Sequence, residues 1–150
     1  MQKPLIKSLA IFSLAAVMSA CSGNRPASLG GIQTSLDPCP ESPNCVSSLS
    51  PKDDETHYIA PINTSNAAAS MKQIAKYIDQ HPSAEVIVAS ESYIYAEFTS
   101  ALMGFVDDVE FLHKPSEAFI DLRSASRLGH SDLGVNRERI EEIRAALVTK

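Results

Sequence analysis

Residues that could do chemistry are concentrated in one stretch near the end of the chain, between positions 123 and 137. They are Arg123, Ser124, Ser126, Arg127, His130, Ser131, Asp132, Asn136 and Arg137. A strand, a glycine-bearing loop and a helix start would carry them, and a helix N-terminus with arginines nearby suits an anion. One hypothesis is therefore a pocket for a carboxylate or phosphate, for example a lipid headgroup. Its candidate binding residues are Arg123, Ser124, Ser126, Arg127, Asn136 and Arg137.

The structural alternative gives the same arginines intramolecular partners. The segment "GFVDDVEF" supplies three acidic residues, Asp107, Asp108 and Glu110. Arg123 and Arg127 would neutralise them, and Asp132 or Asn136 would cap the last helix. Arginine–carboxylate forks of this kind commonly fix a loop. The two hypotheses differ in whether the arginine donors are open to a ligand.

An enzyme is the less favoured hypothesis. Ser126 or Ser124, with His130 and Asp132, supplies the residue types of a nucleophile, a base and an orienting acid. However, no Gly-x-Ser-x-Gly turn surrounds either serine, and residues this close in sequence rarely converge as a triad. A hydrolase using Ser126 and His130 stays as the alternative, with no catalytic residue assigned and no cofactor expected.

The elements that must position these residues follow from the apolar spacing. Helical periodicity predicts an amphipathic helix over Asn63–Gln80, which Thr64 or Ser65 could cap and Pro82 would end. Four strands are predicted next, and a last helix runs from Asn136 onward. The strands are Ala84–Ser90, Tyr93–Ser100, Phe105–Leu112 and Ala118–Ala125. The order α-β-β-β-β-α with short connections predicts an α+β fold, an antiparallel four-stranded meander sheet with helices packed on one face.

Strand alternation assigns the side chains to faces. Tyr93, Tyr95 and Glu97 share one face of their strand, opposite Ile94, Ala96 and Phe98. In the next strand Asp107 shares a face with three large apolar residues, so it needs a donor or a raised pKa. Because adjacent acids point to opposite faces, Asp107, Asp108 and Glu110 do not predict a metal site.

The pairing of the last two strands depends on the length of the loop between them. A four-residue loop, His113–Ser116, would place Val106 opposite Arg123, with Asp108 diagonal to it. A five-residue loop would place Asp107 opposite Arg123 but would mix polar and apolar residues on both faces. The four-residue loop is therefore the preferred register.

The amino terminus has the features of an export signal. Lys3 and Lys7 precede an apolar run, Leu9–Met18, which is too short to span a bilayer as a helix. Residues 18–21, "MSAC", resemble the bacterial lipobox, in which the cysteine is acylated and becomes the mature N-terminus. Met18 departs from the leucine usual in that motif.

The lipobox resemblance divides the chain. Residues 1–20 are predicted to be a lipoprotein signal peptide, with Cys21 joined to membrane lipid. Ser22 follows where inner-membrane lipoproteins often carry Asp, so the resemblance favours the outer membrane of the envelope, facing the periplasm. Residues 21–38 are rich in Ser, Gly and Pro, which predicts a flexible tether, and 39–150 is predicted to be one domain whose regular structure starts near His57.

Two further cysteines lie in "CPESPNC", where Cys39 and Cys45 enclose two prolines. Because export delivers them to an oxidising compartment, we predict a disulfide that closes a small loop. The competing hypothesis, a metal site, lacks a second pair of ligands because His57 is isolated. No metal is expected.

Charge excludes one class of partner. The chain has a net charge of −5, and removal of residues 1–20 takes away two lysines and no acid, which makes it −7. Nucleic-acid binding needs clustered Lys and Arg, so nucleic acid is not an expected partner.

Three segments resemble one family when taken together and in order. "DPCPESPNCVSS", "GFVDDVEF" and "RSASRLGHSDLGVNRERIEEIR" are similar to the signatures of the uncharacterised family catalogued as domain of unknown function 1499. The resemblance implies an envelope protein with no established reaction, so it supplies no catalytic residues. The expectation is a non-catalytic binding or envelope-organising module, with an anionic small molecule or an envelope protein as partner.

Overall fold

Four long antiparallel strands form the centre of the structure, a computed structural model that describes residues 22–148. The elements are β1 (Cys45–Ser47), β2 (Ile62–Asn63), α1 (Ala67–Asp79), β3 (Ala84–Ala89), β4 (Tyr93–Thr99), β5 (Val106–Leu112), β6 (Phe119–Ser126) and α2 (Val135–Val148). The sheet order is β1-β6-β5-β4-β3, and β2 also pairs with β6. The predicted α+β fold with an antiparallel meander is confirmed. The signal peptide and Cys21 lie outside the described residues.

Two short strands extend the meander. β1 pairs with the second half of β6 and β2 pairs with its first two residues, so both lie along one edge of that strand. The domain's regular structure therefore begins at Cys45 and not near His57. Strands of two and three residues carry no alternation long enough to be recognised in a sequence.

The first helix is shorter than predicted at its start. α1 begins at Ala67, and the side chain of Asn66 caps it by accepting a hydrogen bond from the Ala69 amide at 3.1 Å. Neither Thr64 nor Ser65 is the cap. The helix cannot begin at Asn63 because that residue pairs with Phe119 as part of β2.

Both helices pack on one face of the sheet. Met71, Ile74 and Ile78 of α1 and Ile140 and Ile143 of α2 are fully buried there. They contact the apolar side chains of the four long strands, among them Ile94, Phe98, Phe111 and Leu122. The predicted assignment of side chains to the two faces is confirmed by this core.

The other face is covered by the segment 22–38. Leu29 and Leu36 are buried in a second cluster with Tyr93, Tyr95 and Leu112. The expectation of a flexible tether took no account of these two leucines, because the segment shows no apolar period. This segment is part of the packing of the domain.

The predicted register of β5 and β6 is wrong. The loop between them has six residues, 113–118, and Arg123 lies opposite Glu110 instead of Val106. The observed pairing is displaced from the prediction by four positions. Because an even displacement keeps every side chain on its own face, the face assignments survived the error.

The disulfide between Cys39 and Cys45 is confirmed, with an S–S distance of 2.08 Å. It closes the loop that leads into β1. Among residues 22–148, no helix combines the length and apolarity that a membrane crossing requires.

The leucines of the covering segment provide a test of its contribution to stability. We predict that Leu36→Ala lowers the free energy of unfolding by about 2–4 kcal/mol, because it removes a buried side chain and leaves a cavity. Ile32→Ala is the matched control in the same segment, because Ile32 is fully exposed, and it should change stability by less than about 0.5 kcal/mol. Urea denaturation measures both, and equal small effects would mean that the segment does not pack on the sheet.

Candidate functional site

The predicted cluster of residues 123–137 is divided between the two faces of β6. Arg123 and Arg127 lie on the face covered by the segment 22–38, whereas Ser124 and Ser126 lie on the helix face. Asn136 joins the two serines, and Arg137 lies apart, donating to the carbonyls of Glu55 and Thr56. The structure therefore does not assemble the six candidate anion ligands into one pocket.

Arg127 is the centre of a buried network on the covered face. Its Nε donates to Asp108 Oδ2 at 3.0 Å, and its Nη2 donates to Asp108 Oδ1 at 2.7 Å. The same Nη2 lies 3.1 Å from the Tyr95 hydroxyl and 2.5 Å from Glu97 Oε1. The Tyr95 hydroxyl in turn donates to Asp108 at 2.6 Å. We call Tyr95, Glu97, Asp108 and Arg127 the Arg127 network.

Burial and pairing oppose each other in this network. Burial alone lowers the pKa of Arg127, but its hydrogen bonds to Asp108 and Glu97 outweigh burial and raise that pKa above its ordinary value. Burial and the hydrogen bond to Asp108 both raise the pKa of Tyr95. Burial would raise the pKa of Glu97, yet hydrogen bonds from Arg25 and Arg127 hold it below the ordinary value. Arg127 and Glu97 therefore stay ionised as paired charges, and the Tyr95 hydroxyl keeps its proton.

The covering segment closes this network. Arg25 places its Nε 2.5 Å from Glu97 Oε1, and its guanidinium lies over the Tyr95 ring, 5.7 Å from the ring centroid. Two cations and two carboxylates thus balance. Only 7% of the Arg127 side chain is exposed, so its Nε and Nη2 donors are committed to this chain and are not presented to a ligand.

A second group on the covered face is less well satisfied. Tyr93 donates its hydroxyl to Glu110 Oε1 at 2.7 Å, and Arg123 Nη1 lies 3.6 Å from Glu110 Oε2. Within the described residues, Glu110 Oε2 and Arg123 Nε are buried without a hydrogen-bond partner. Burial raises the pKa of Glu110 above its ordinary value of 4.5, despite the Tyr93 hydrogen bond and the Arg123 charge.

The helix face carries a separate polar network. Ser124 donates to Asn136 Oδ1, and Asn136 Nδ2 donates to Ser126 Oγ at 3.0 Å and to the Asn44 carbonyl at 3.1 Å. Asn136 is therefore a buried link between α2, β6 and the residue before β1. Of the two predicted caps of α2, Asp132 accepts from the Gly134 and Asn136 amides, whereas Asn136 lies inside the helix.

Arg139 belongs to this network and was missed in the sequence. Its Nη2 donates to Asp107 at 2.6 Å, its Nη1 donates to Asn136 Oδ1 at 2.8 Å, and its guanidinium lies 4.6 Å from the Phe98 ring centroid. It is the donor that Asp107 needed, in place of Arg123 or Arg127. The signal was its position, because Arg139 lies on the same helical stripe as Asn136, Ile140 and Ile143.

The hydrolase residues do not converge. Ser126 Oγ receives the hydrogen bond from Asn136, and Asp132 uses both carboxylate oxygens on backbone amides. His130 is exposed and makes no hydrogen bond with any of the residues 22–148. His57 Nδ1 lies 2.7 Å from Asp54 Oδ2. Among the described residues, no group of three His, Cys, Asp or Glu side chains is placed to hold a metal ion.

An open concave site lies beside the Arg139–Asp107 pair. It is a cavity of about 300 Å³ between the end of α1, the β4–β5 turn and the start of α2. Tyr77, Phe98, Ala101 and Val135 form part of its apolar lining, and the lining also includes His81, Arg139, Glu138 and Glu142. Arg139, the cation in this lining, is already paired with Asp107. The cavity is therefore less suited to a strong anion than to a small molecule with an apolar body.

These features define an α+β domain in which β5 carries a buried ion pair on each face. Asp108 pairs with Arg127 on the covered face, and Asp107 pairs with Arg139 on the helix face. The chain belongs to the family described as protein of unknown function (DUF1499), whose profile matches residues 35–147. No curated protein matches the chain.

Loss of the Arg127 guanidinium should be costly for folding. We predict that Arg127→Ala lowers the free energy of unfolding by about 3–5 kcal/mol, because it leaves buried Asp108 without its counter-ion. Arg137→Ala is the matched control. It removes hydrogen bonds to backbone carbonyls near the surface and should cost less than about 1.5 kcal/mol. Chemical denaturation measures the free energy of unfolding of both variants. Equal decreases in the two would contradict the structural role of the Arg127 network.

The raised pKa of Glu110 predicts that the stability of the protein depends on pH. In the folded protein Glu110 binds its proton more tightly than in the unfolded chain, so its ionisation costs stability as pH rises from about 4.5 through the raised pKa. We predict that the stability of Glu110→Gln relative to wild type increases over this range, because glutamine does not ionise. Denaturation at a series of pH values measures the difference, and a difference that is constant with pH or falls would refute the assignment.

Proposed function

We propose that this protein is an exported lipoprotein of the bacterial envelope, anchored by acyl chains on Cys21, whose domain binds a ligand or partner and does not catalyse a reaction. The absence of catalysis is proposed because the candidate reactive side chains are hydrogen-bonded within the protein. Arg127 donates to Asp108, Ser126 accepts from Asn136, and Asp132 accepts from a backbone amide. The cavity beside Arg139 is the candidate binding site.

Two observations support export and anchoring. The basic tip, apolar run and small residues before Cys21 fit a lipoprotein signal peptide. The Cys39–Cys45 disulfide fits an oxidising compartment. The resemblance of the sequence around Cys21 to the lipobox, with Ser22 next to it, favours the outer membrane.

The anchoring is tested by expression of the full chain in a bacterium that processes lipoproteins. We predict that labelled palmitate is incorporated into the protein and that mass spectrometry finds an acylated Cys21 at the N-terminus. Cys21→Ala should abolish labelling and release the protein from the membrane fraction. Cys39→Ala with Cys45→Ala is the control, because it removes two cysteines but should keep the label. An unmodified Cys21 in wild type would overturn the proposal.

The non-catalytic part is tested by complementation of a strain that lacks the gene. Ser126→Ala and His130→Ala should restore the wild-type phenotype, because neither side chain is placed for catalysis. Ala101→Phe, which would obstruct the cavity from an exposed turn, should fail to restore it while remaining folded. Loss of function in Ser126→Ala or His130→Ala at wild-type protein levels would favour the hydrolase.

A further inference from the structure

Two loops meet at the end of the sheet where β6 finishes. Antiparallel pairing places Ser126 opposite Asp107 and Val106 opposite Thr99, so the β4–β5 turn, 100–105, and the loop 127–134 leave the sheet at the same end. The turn and the first residue of α2 border the same cavity. We call the exposed apolar side chains here the apolar tip: Leu102, Met103, Phe105, Leu128, Leu133 and Val135.

The apolar tip holds most of the large apolar side chains that face solvent. Over the part of the chain that the structure describes, eight such side chains are exposed, and six of them belong to the tip. Leu102 is 91% exposed and Leu133 is 94% exposed. Single exposed apolar residues are ordinary on a protein surface, but their concentration at one end indicates a contact surface.

Charge is distributed in the opposite way. The turn "SALMGF", 100–105, has no charged residue, and "LGHSDLGV", 128–135, has one acid, Asp132, whose carboxylate accepts two backbone hydrogen bonds. The loops at the other end of the sheet, 48–56 and 113–118, are rich in Lys, Asp and Glu. The two loops of the apolar tip therefore carry less charge than the loops 48–56 and 113–118, which we call the charged end.

Leu133 shows that the tip is maintained at a cost. Its φ is +57°, in the left-handed region that leucine rarely adopts. Glycine or asparagine would adopt this conformation more easily, and a polar residue would be better hydrated. The fold thus accepts both backbone strain and exposed apolar surface at this position.

The described chain also enters the domain at this end. A Cβ placed on Gly23 would lie 3.2 Å from Leu128 Cγ and 3.2 Å from Arg127 Cβ, so the backbone of Gly23 lies against the tip. Cys21 is two residues earlier, and two residues span at most about 7 Å. Acyl chains on Cys21 would therefore enter a bilayer next to Leu128.

We propose that the apolar tip is a second membrane contact, inserted into the surface of the lipid leaflet that holds the acyl chains of Cys21. This inference rests on the proposed lipid anchor, because the anchor determines which leaflet the tip would enter. The tip supplies apolar side chains at the depth of the headgroup and acyl boundary, while the charged end points away into water. The anchored domain then has a fixed orientation, with the sheet upright on the membrane.

The chain contains no tryptophan, which allows a direct test of insertion. Leu102→Trp and Leu133→Trp place single reporters in the two loops of the tip, at side chains exposed enough that folding should be unaffected. Leu49→Trp is the control, because Leu49 is an exposed leucine that follows β1 toward the charged end. The acylated full-length variants are reconstituted in vesicles of phosphatidylethanolamine and phosphatidylglycerol with brominated acyl chains, which quench nearby tryptophan.

We expect both tip reporters to lose at least about half of their fluorescence, because they would lie about 5–10 Å into the boundary region, while Leu49→Trp is unchanged. Acylated protein that stays on the vesicles with unquenched tip reporters, or with equal quenching of all three, overturns the inference and leaves the anchor intact. If mass spectrometry shows Cys21 unmodified, the lipid anchor fails instead. The same variants mixed with the vesicles then decide the tip separately: quenching of the tip reporters alone supports it, and no quenching overturns it.

Discussion

A guanidinium buried between a sheet and a covering segment needs paired charges around it, and Arg127 has them in Asp108 and Glu97. Its fork with Asp108 joins the ends of β5 and β6, and its contact with Glu97 extends to β4. Arg25 then completes the charge balance from the segment 22–38. The packing of Leu29 and Leu36 against the tyrosines of β4 therefore lies beside a closed ionic network and not beside open solvent.

Strand alternation was the reliable signal in the sequence. It predicted the four long strands to within a residue or two and assigned Tyr95 and Asp108 to one face and Ile94 and Phe98 to the other. The register failed because it depended on loop length, and nothing in residues 113–118 distinguishes a loop of four residues from one of six. The covering segment was missed because its two buried leucines are separated by six residues, 30–35, whose one large apolar side chain, Ile32, is exposed, so no period reveals a packed face.

The candidate site was only partly predictable for a similar reason. The pairing of arginines with acidic residues was correct for Arg127 with Asp108 and for Arg123 with Glu110, although the latter pair is loose. Grouping residues by sequence proximity was misleading, because neighbouring residues of β6 point to opposite faces. Asp107 consequently found its partner on α2, in Arg139, and the predicted anion pocket became two separate structural networks.

The segment 22–38 is a rigid part of the domain, held by Leu29, Leu36 and the Arg127 network. Backbone NMR order parameters for residues 24–38 test it most directly. The structure predicts values near about 0.85, the same as in β4 and β5, because the segment is packed on the sheet. Values below about 0.6 across the segment would show a flexible tether and would contradict the account.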